Sequence, residues 1–429
     1  MSISEQDRAS LRDAWGDYCD ALRTEGMDII NGDSGDPVTP QELAEALRAV
    51  ARIGIMSLQH RMDFNDPDFP LLFRTMDDRF KYGGPDPHIN YLNATLNGDA
   101  TYRLRGNHMM REFNVNVSTP VPVEVNGETK KILGSASLWQ HEMKFEADGS
   151  FEVMFSAEQQ PGNWMKLDPD FRGGTELPDQ YPMAAGGITM RTYYMDPADE
   201  RPNGTFFLER VDANAPLVPA PLTPTRFAEQ LKSAAALCRK AAKWWIARPE
   251  RARQQNKPNV IAPPGKYPPG IESYSRKRDN NAPLNYGVCT FDLAPDEALL
   301  IDTNLAPMLY WSFTLYNAWW ESPDVQDRQT SIGHTAAFID ADGRFRAVIA
   351  HDDPGVPNWL DTSGGQRGFL FYRWLKPDDV DNMPAPIGKV VKLKDIRGLM
   401  PAGHPHIDEA TRRKQLSERR AWFARRFQT

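Results

Sequence analysis

Side chains able to move a proton or grip a small molecule gather in the last third of the chain. His351-Asp352-Asp353 sets a histidine beside two carboxylates, the pairing used for acid/base transfer near neutral pH or for holding a metal. Neighbours in a hairpin loop rarely converge on one ion, and no HxH or HxxxH partner lies nearby, His404-Pro405-His406 being far downstream. Metal is therefore the weaker reading, and a solvated turn the plain alternative. His334 is a second titratable candidate; a hydrogen-bonded structural histidine is its plain alternative. Five of the eleven tryptophans fall between 311 and 374 (Trp311, Trp319, Trp320, Trp359 and Trp374). Adjacent Trp319 and Trp320 point in different directions, so one could line an aromatic wall for a ring-shaped ligand, unless both simply pack in a core. Tyr316 could orient a polar group there.

Other chemistries find no support. There is no GxSxG elbow, Walker A loop, HExxH or dinucleotide fingerprint, and Gly186-Gly187 and Gly364-Gly365 precede no helix. His108 sits in a strand-like stretch and is expected to pack. Lys and Arg number 50 against 58 Asp and Glu, a formal net charge of -8, which argues against a nucleic-acid partner. The one basic concentration runs from Arg412 to Arg426 and reads as a solvated helix pairing with acidic surface. Three cysteines without CxxC make neither a disulfide framework nor a zinc site; Cys19 and Cys238 are expected to be buried. The polar opening, Met1 to Arg8, has no apolar h-region, and no apolar run could span a bilayer. The expectation is a cytoplasmic protein with no cofactor and no metal.

The elements that must position these residues are legible in part. The 35 prolines and 30 glycines suit many turns and a large β component. Leu11, Trp15, Tyr18, Cys19 and Leu22 mark a first helix over 6–26. Thr39-Pro40-Gln41-Glu42 is a capping box opening a second, and Thr223-Pro224 starts a third, to about 247. Between Asp63 and Pro87, Pro, Gly and Asp break all pattern. Strand alternation marks 89–210 and 285–396, with hairpins at Asn126-Gly127 and Asp148-Gly149. Trp311, Phe313 and Leu315 alternate with Ser312, Thr314 and Tyr316, a strand with one apolar face. Residues 249–284 read as a Pro-rich strap.

The two β regions repeat each other. Ser137 to Phe151 matches Ser331 to Phe345 at a constant offset of 194. Asn163-Trp164-Met165 matches Asn358-Trp359-Leu360, Asn90-Tyr91 matches Asn285-Tyr286, and Tyr194-Met195-Asp196-Pro197 lies opposite Trp374-Leu375-Lys376-Pro377. Shared features read as scaffold, such as a turn-bonding Asn beside a core Trp. Features of one copy, including Trp319-Trp320, His334 and His351-Asp352-Asp353, are the better functional candidates.

Leu309 to Asn317, Ser331-Ile332-Gly333, Asp342-Gly343, His351 to Gly355 and Asn358-Trp359-Leu360 together resemble a bacterial domain-of-unknown-function family, numbered 1214, over about 285–396. The resemblance implies a jelly-roll-like sandwich and transfers no catalytic residues.

The expected architecture is mainly β with flanking α. It comprises an N-terminal helical segment (1–88), a first jelly-roll-like antiparallel sandwich (89–222), a helix and linker (223–284), a second sandwich (285–400) and a C-terminal helix (401–429). The expected function is an enzyme acting on an apolar or cyclic small molecule by acid/base chemistry. His334, His351, Asp352 and Asp353 would be catalytic, and Tyr316, Trp319 and Trp320 would bind substrate. The alternatives are a carbohydrate- or lipid-binding module, or an assembly protein whose tryptophans lie in a homo-oligomer interface.

Overall fold

A computed structural model describes residues 3–77, 81–107, 112–125, 128–169, 187–194, 205–266 and 284–427. His108, Asn126-Gly127, Gly186 and the later strap (267–283) lie outside them. The chain opens with helices α1 (Glu5–Asn31) and α2 (Pro40–Leu58). Ser4 and Asp7 form a reciprocal cap on α1. The Thr39 hydroxyl accepts from the Glu42 N–H to start α2. The Glu42 carboxylate does not fold back on Thr39: it accepts from the Val38 N–H at 2.9 Å and from Arg367.

Two sandwiches follow, each of two four-stranded sheets with the same strand order. In the first, β2 (Ile89–Thr95), β8 (Gly187–Tyr193), β4 (Phe113–Val125) and β5 (Glu128–Trp139) make one sheet, extended by β1 (Phe73–Met76). Its partner is β7 (Asn163–Lys166), β6 (Ser150–Ser156), β3 (Tyr102–Asn107) and β9 (Phe206–Arg210). In the second, β10 (Leu284–Asp292), β16 (Arg367–Pro377), β12 (Met308–Tyr316) and β13 (Ser331–Gly333) face β15 (Trp359–Asp361), β14 (Arg344–Ala350), β11 (Glu297–Asn304) and β17 (Ile387–Lys392). All pairings are antiparallel except β6–β7 and β14–β15, parallel in both copies. The repeated asparagines do the same work. Asn163 bonds both backbone groups of Lys144 and the Glu152 carbonyl; Asn358 bonds those of Phe338 and the Arg346 carbonyl.

Sheet register moves one part of the repeat by two residues. Arg191 faces Asn114 and Tyr91, as Arg373 faces Ser312 and Tyr286. The true counterpart of Arg373 is therefore Arg191, and Tyr194 does not match Trp374.

Inward residues of each sandwich form its own core: Leu104, Phe113, Val153 and Met190 in the first, and Trp311, Phe313, Phe345 and Trp374 in the second. The long helix α3 (Pro224–Gln255) continues through Pro249, beyond the expected end, because Trp245, Ile246, Pro249 and Ala252 keep one buried stripe. With α1 and α2 it packs on the outer face of the β10–β16–β12–β13 sheet. The stripe of α1 is Ala14, Tyr18, Ala21, Glu25 and Ile29, so Trp15 and Cys19 are exposed, not core. A short α4 (Ile396–Leu399) precedes α5 (Glu409–Phe427). No helix among the described residues is long and apolar enough to cross a membrane.

Trp319 and Trp320 are buried, at 1% and 4% exposure. The Trp319 indole donates to the Glu42 carbonyl and lies against Gly35 and Arg253; Trp320 meets Trp245 and Phe369. They form the joint between helices and sheet, not an exposed wall. Trp319→Ala should lower unfolding free energy by about 3–5 kcal/mol in denaturant titration, against under about 0.5 kcal/mol for exposed Trp15→Ala.

Candidate functional site

The loop between β1 and β2, unreadable in the sequence, places a buried polar group. Gly83 and Gly84 take left-handed φ of 76° and 68°. A Cβ on them would press on Trp245 at 3.0 Å and Phe371 at 3.2 Å, so only glycine lets the backbone lie this close to the sheet. The Gly84 N–H donates to the Trp320 carbonyl. Asp86 is thereby set against the outer face of β12 and β16.

Asp86 is fully buried in its side chain. Its Oδ2 accepts from Ser312 at 2.7 Å and Tyr310 at 3.1 Å, and its Oδ1 from the His88 N–H at 2.9 Å. The Tyr91 hydroxyl accepts from the Asp86 N–H. Arg373, equally buried, stands 3.5 Å from Asp86 through Nη1. Its Nη2 donates to the Gly84 carbonyl and the Tyr316 hydroxyl, both at 2.9 Å. Tyr316 in turn donates to the Pro85 carbonyl. Burial by itself would raise the Asp86 pKa; Arg373, His88 and the hydrogen bonds outweigh it and hold the carboxyl below its ordinary value. Burial pushes the Tyr310 and Tyr316 hydroxyls the other way, so both stay protonated.

This group lies in the seam where the outer faces of the β2- and β10-containing sheets meet. Ile89, Tyr91, Trp139 and Tyr193 of the first half pack on Tyr310 and Leu375 of the second. Each half contributes a tyrosine under an arginine: Arg191 over Tyr91 at 5.8 Å, and Arg373 over Tyr286 at 5.3 Å. Helix α5 adjoins the group at His88. Trp422 stacks 5.0 Å from that ring, whose Nε2 meets the Ser331 hydroxyl at 3.3 Å. Arg419 donates to the Ser331 hydroxyl and to the Val325 and Ser331 carbonyls. Burial pulls its pKa down to about 9. Arg412 is buried too, on Asp353, whereas Arg413 and Arg420 make the expected surface pairs with Glu409 and Asp327.

The residues singled out from sequence separate. Tyr316 belongs to the seam group. His334 is at its edge, with its ring 5.5 Å from Tyr310. His351, Asp352 and Asp353 follow β14 in the opposite sheet. The His351 Nε2 faces the Leu293 carbonyl and Nδ1 the Thr362 hydroxyl, so the ring clamps two loops. Asp353 pairs with Arg412 and Asp352 is exposed. Among the described residues no cluster of three or more His, Cys, Asp or Glu could hold a metal. Asp86, His88, Tyr310, Ser312 and Arg373 were missed. A repeat aligned by strand register would have exposed the Arg191–Arg373 equivalence.

Comparison with known proteins follows the duplication. The family model described as "Protein of unknown function (DUF1214)" matches residues 91–174 and 276–379. The matched segments fall in both halves of the chain. The DUF1214 likeness is thus wider than the second half, where the sequence motifs first pointed to it. A putative uncharacterized protein from Burkholderia cenocepacia has a similar structure, with TM-score 0.72 and 26% identity over 90% of this chain and 99% of that one. The VPA0106 protein from Vibrio parahaemolyticus aligns with TM-score 0.42 and 13% identity, covering 81% of this chain and 98% of its own. No curated protein matches the chain.

Asp86→Asn leaves Arg373 buried without its carboxylate and should lower stability at pH 7 by about 3–5 kcal/mol. Because the folded pKa of Asp86 is depressed, its contribution is complete above the ordinary value of 3.8 and is lost as pH falls through the lower folded value. Urea midpoints measured against pH should lack that acid component in the variant; an unchanged acid profile would refute the charge assigned to Asp86.

Proposed function

We propose that the chain is an enzyme that moves a proton on a small apolar or cyclic molecule held in the seam between its two sandwiches. The observation that carries this reading is the gathering of Asp86, Arg373, Tyr310, Tyr316 and Ser312 in one buried network with His334 at its edge. In this reading His334 is the acid/base group, since histidine alone changes charge near neutral pH without perturbation. Tyr310, kept protonated by burial, spends its one O–H on Asp86 and orients that carboxylate, while the Arg373 N–H groups that have no acceptor face the oxygen on which charge develops. Arg373 and Tyr316 position the molecule among the rings of Tyr286 and Phe371. The carboxylate of the pair is Asp86, in place of Asp352 or Asp353.

A non-catalytic binding module is the second reading, favoured by the mutual hydrogen bonding and full burial of the network. The two separate by proton exchange. Cyclic ketones, lactones and ring carboxylic acids incubated with the protein in D2O and followed by NMR should show exchange or turnover. Tyr310→Phe and His334→Gln should each slow it about 10²-fold or more with melting temperature held within a few degrees. Binding without exchange, or exchange indifferent to both variants, would leave only the binding module.

A further inference from the structure

Resting on the seam as the ligand site, we infer that its ligand is a ring-bearing carboxylic acid, with the carboxylate on Arg373 and a second polar group on Tyr193. A guanidinium carries five N–H donors. In Arg373 the Nη2 group is used on Gly84 and Tyr316. Nε and Nη1 are buried and have no hydrogen-bond acceptor, Nη1 lying only within ion-pair distance of Asp86. Asp86 takes its hydrogen bonds from Ser312, Tyr310 and the His88 N–H instead.

Arg419 is served by carbonyls, a hydroxyl and the nearby Asp324 charge, so the unmet donors are those of Arg373, and a carboxylate brings acceptors suited to guanidinium N–H groups. The surroundings specify the rest of the molecule. The Arg373 guanidinium lies 5.3 Å from the Tyr286 ring centroid and 6.0 Å from those of Tyr316 and Phe371, an aromatic lining that suits a ring.

The Tyr193 hydroxyl is the second anchor. It is buried with no hydrogen-bond partner, its ring stacked 6.0 Å from Trp139 and tilted against Tyr310 at 6.4 Å. Tyr91 and Tyr286 are within electrostatic reach of both Tyr193 and Arg373. A hydroxyl or carbonyl on the ring would meet it.

The test is calorimetric titration of the full chain with sodium benzoate, sodium 4-hydroxybenzoate and sodium cyclohexanecarboxylate, each beside its primary amide, and with inorganic phosphate. At least one acid should bind ten-fold or more tightly than its amide. Arg373→Lys should weaken that binding ten-fold or more, and Tyr193→Phe should remove the advantage of the 4-hydroxyl, both with the circular dichroism of the parent. An amide equal to its acid, with binding lost in Arg373→Lys, would overturn the carboxylate and leave the seam standing as a site. No acid bound, phosphate bound alone, or acid binding indifferent to both substitutions would overturn the inference. The exchange experiment on Tyr310 and His334 judges catalysis separately.

Discussion

The pairing of Asp86 with Arg373 is the constraint around which the two halves are arranged. A carboxylate stripped of water is stable only beside an opposite charge and with its lone pairs filled. Arg373 supplies the charge, and Ser312, Tyr310 and the His88 N–H fill the oxygens. Meeting that demand fixes the path of the Gly83-Gly84-Pro85-Asp86 segment. It also fixes where the first sandwich begins, because β2 starts three residues after Asp86.

Duplication explains why the site lies where it does. Each sandwich closes its own apolar core, so neither needs the other for burial inside. What remains are the outer faces of the β2 and β10 sheets, and these meet with like residues opposed: Tyr91 beneath Arg191, and Tyr286 beneath Arg373. The halves then diverge at equivalent positions, with Asn114 where the second copy has Ser312. The two copies thus meet beside the buried polar group of Asp86 and Arg373. Lys376 secures the joint, pairing with Glu112 at 2.7 Å while lying over Trp139.

The helices and α5 close the assembly from outside. Trp319 and Trp320 could join helix to sheet only by taking a tight turn, in which Trp320 has a φ of 58° and the Asn317 side chain accepts from the Trp319 and Glu321 N–H groups. That strained position presents the carbonyl that receives Gly84. The tryptophan joint and the polar seam are therefore mechanically linked through one backbone hydrogen bond.

The sequence by itself determined what is periodic or local. Strand alternation, the Thr39 and Thr223 caps, the Asn-Trp turns and the repeat between 137–151 and 331–345 all depend on neighbours in the chain, and the duplicated sandwich with helical flanks could be read from them. It pointed to Tyr316 and His334, but also to His351-Asp352-Asp353, which the fold commits to loop clamping and an ion pair. Tertiary structure decided everything that depends on residues far apart. Asp86 and Arg373 are separated by most of the chain, and Asp86 lies where Pro and Gly erase all periodicity. Trp319 and Trp320 could be assigned to core or surface only once α3 was placed. Periodicity reports which face of a strand is apolar; it does not report what covers the other face, and here the polar face of β12 is buried as fully as the apolar one.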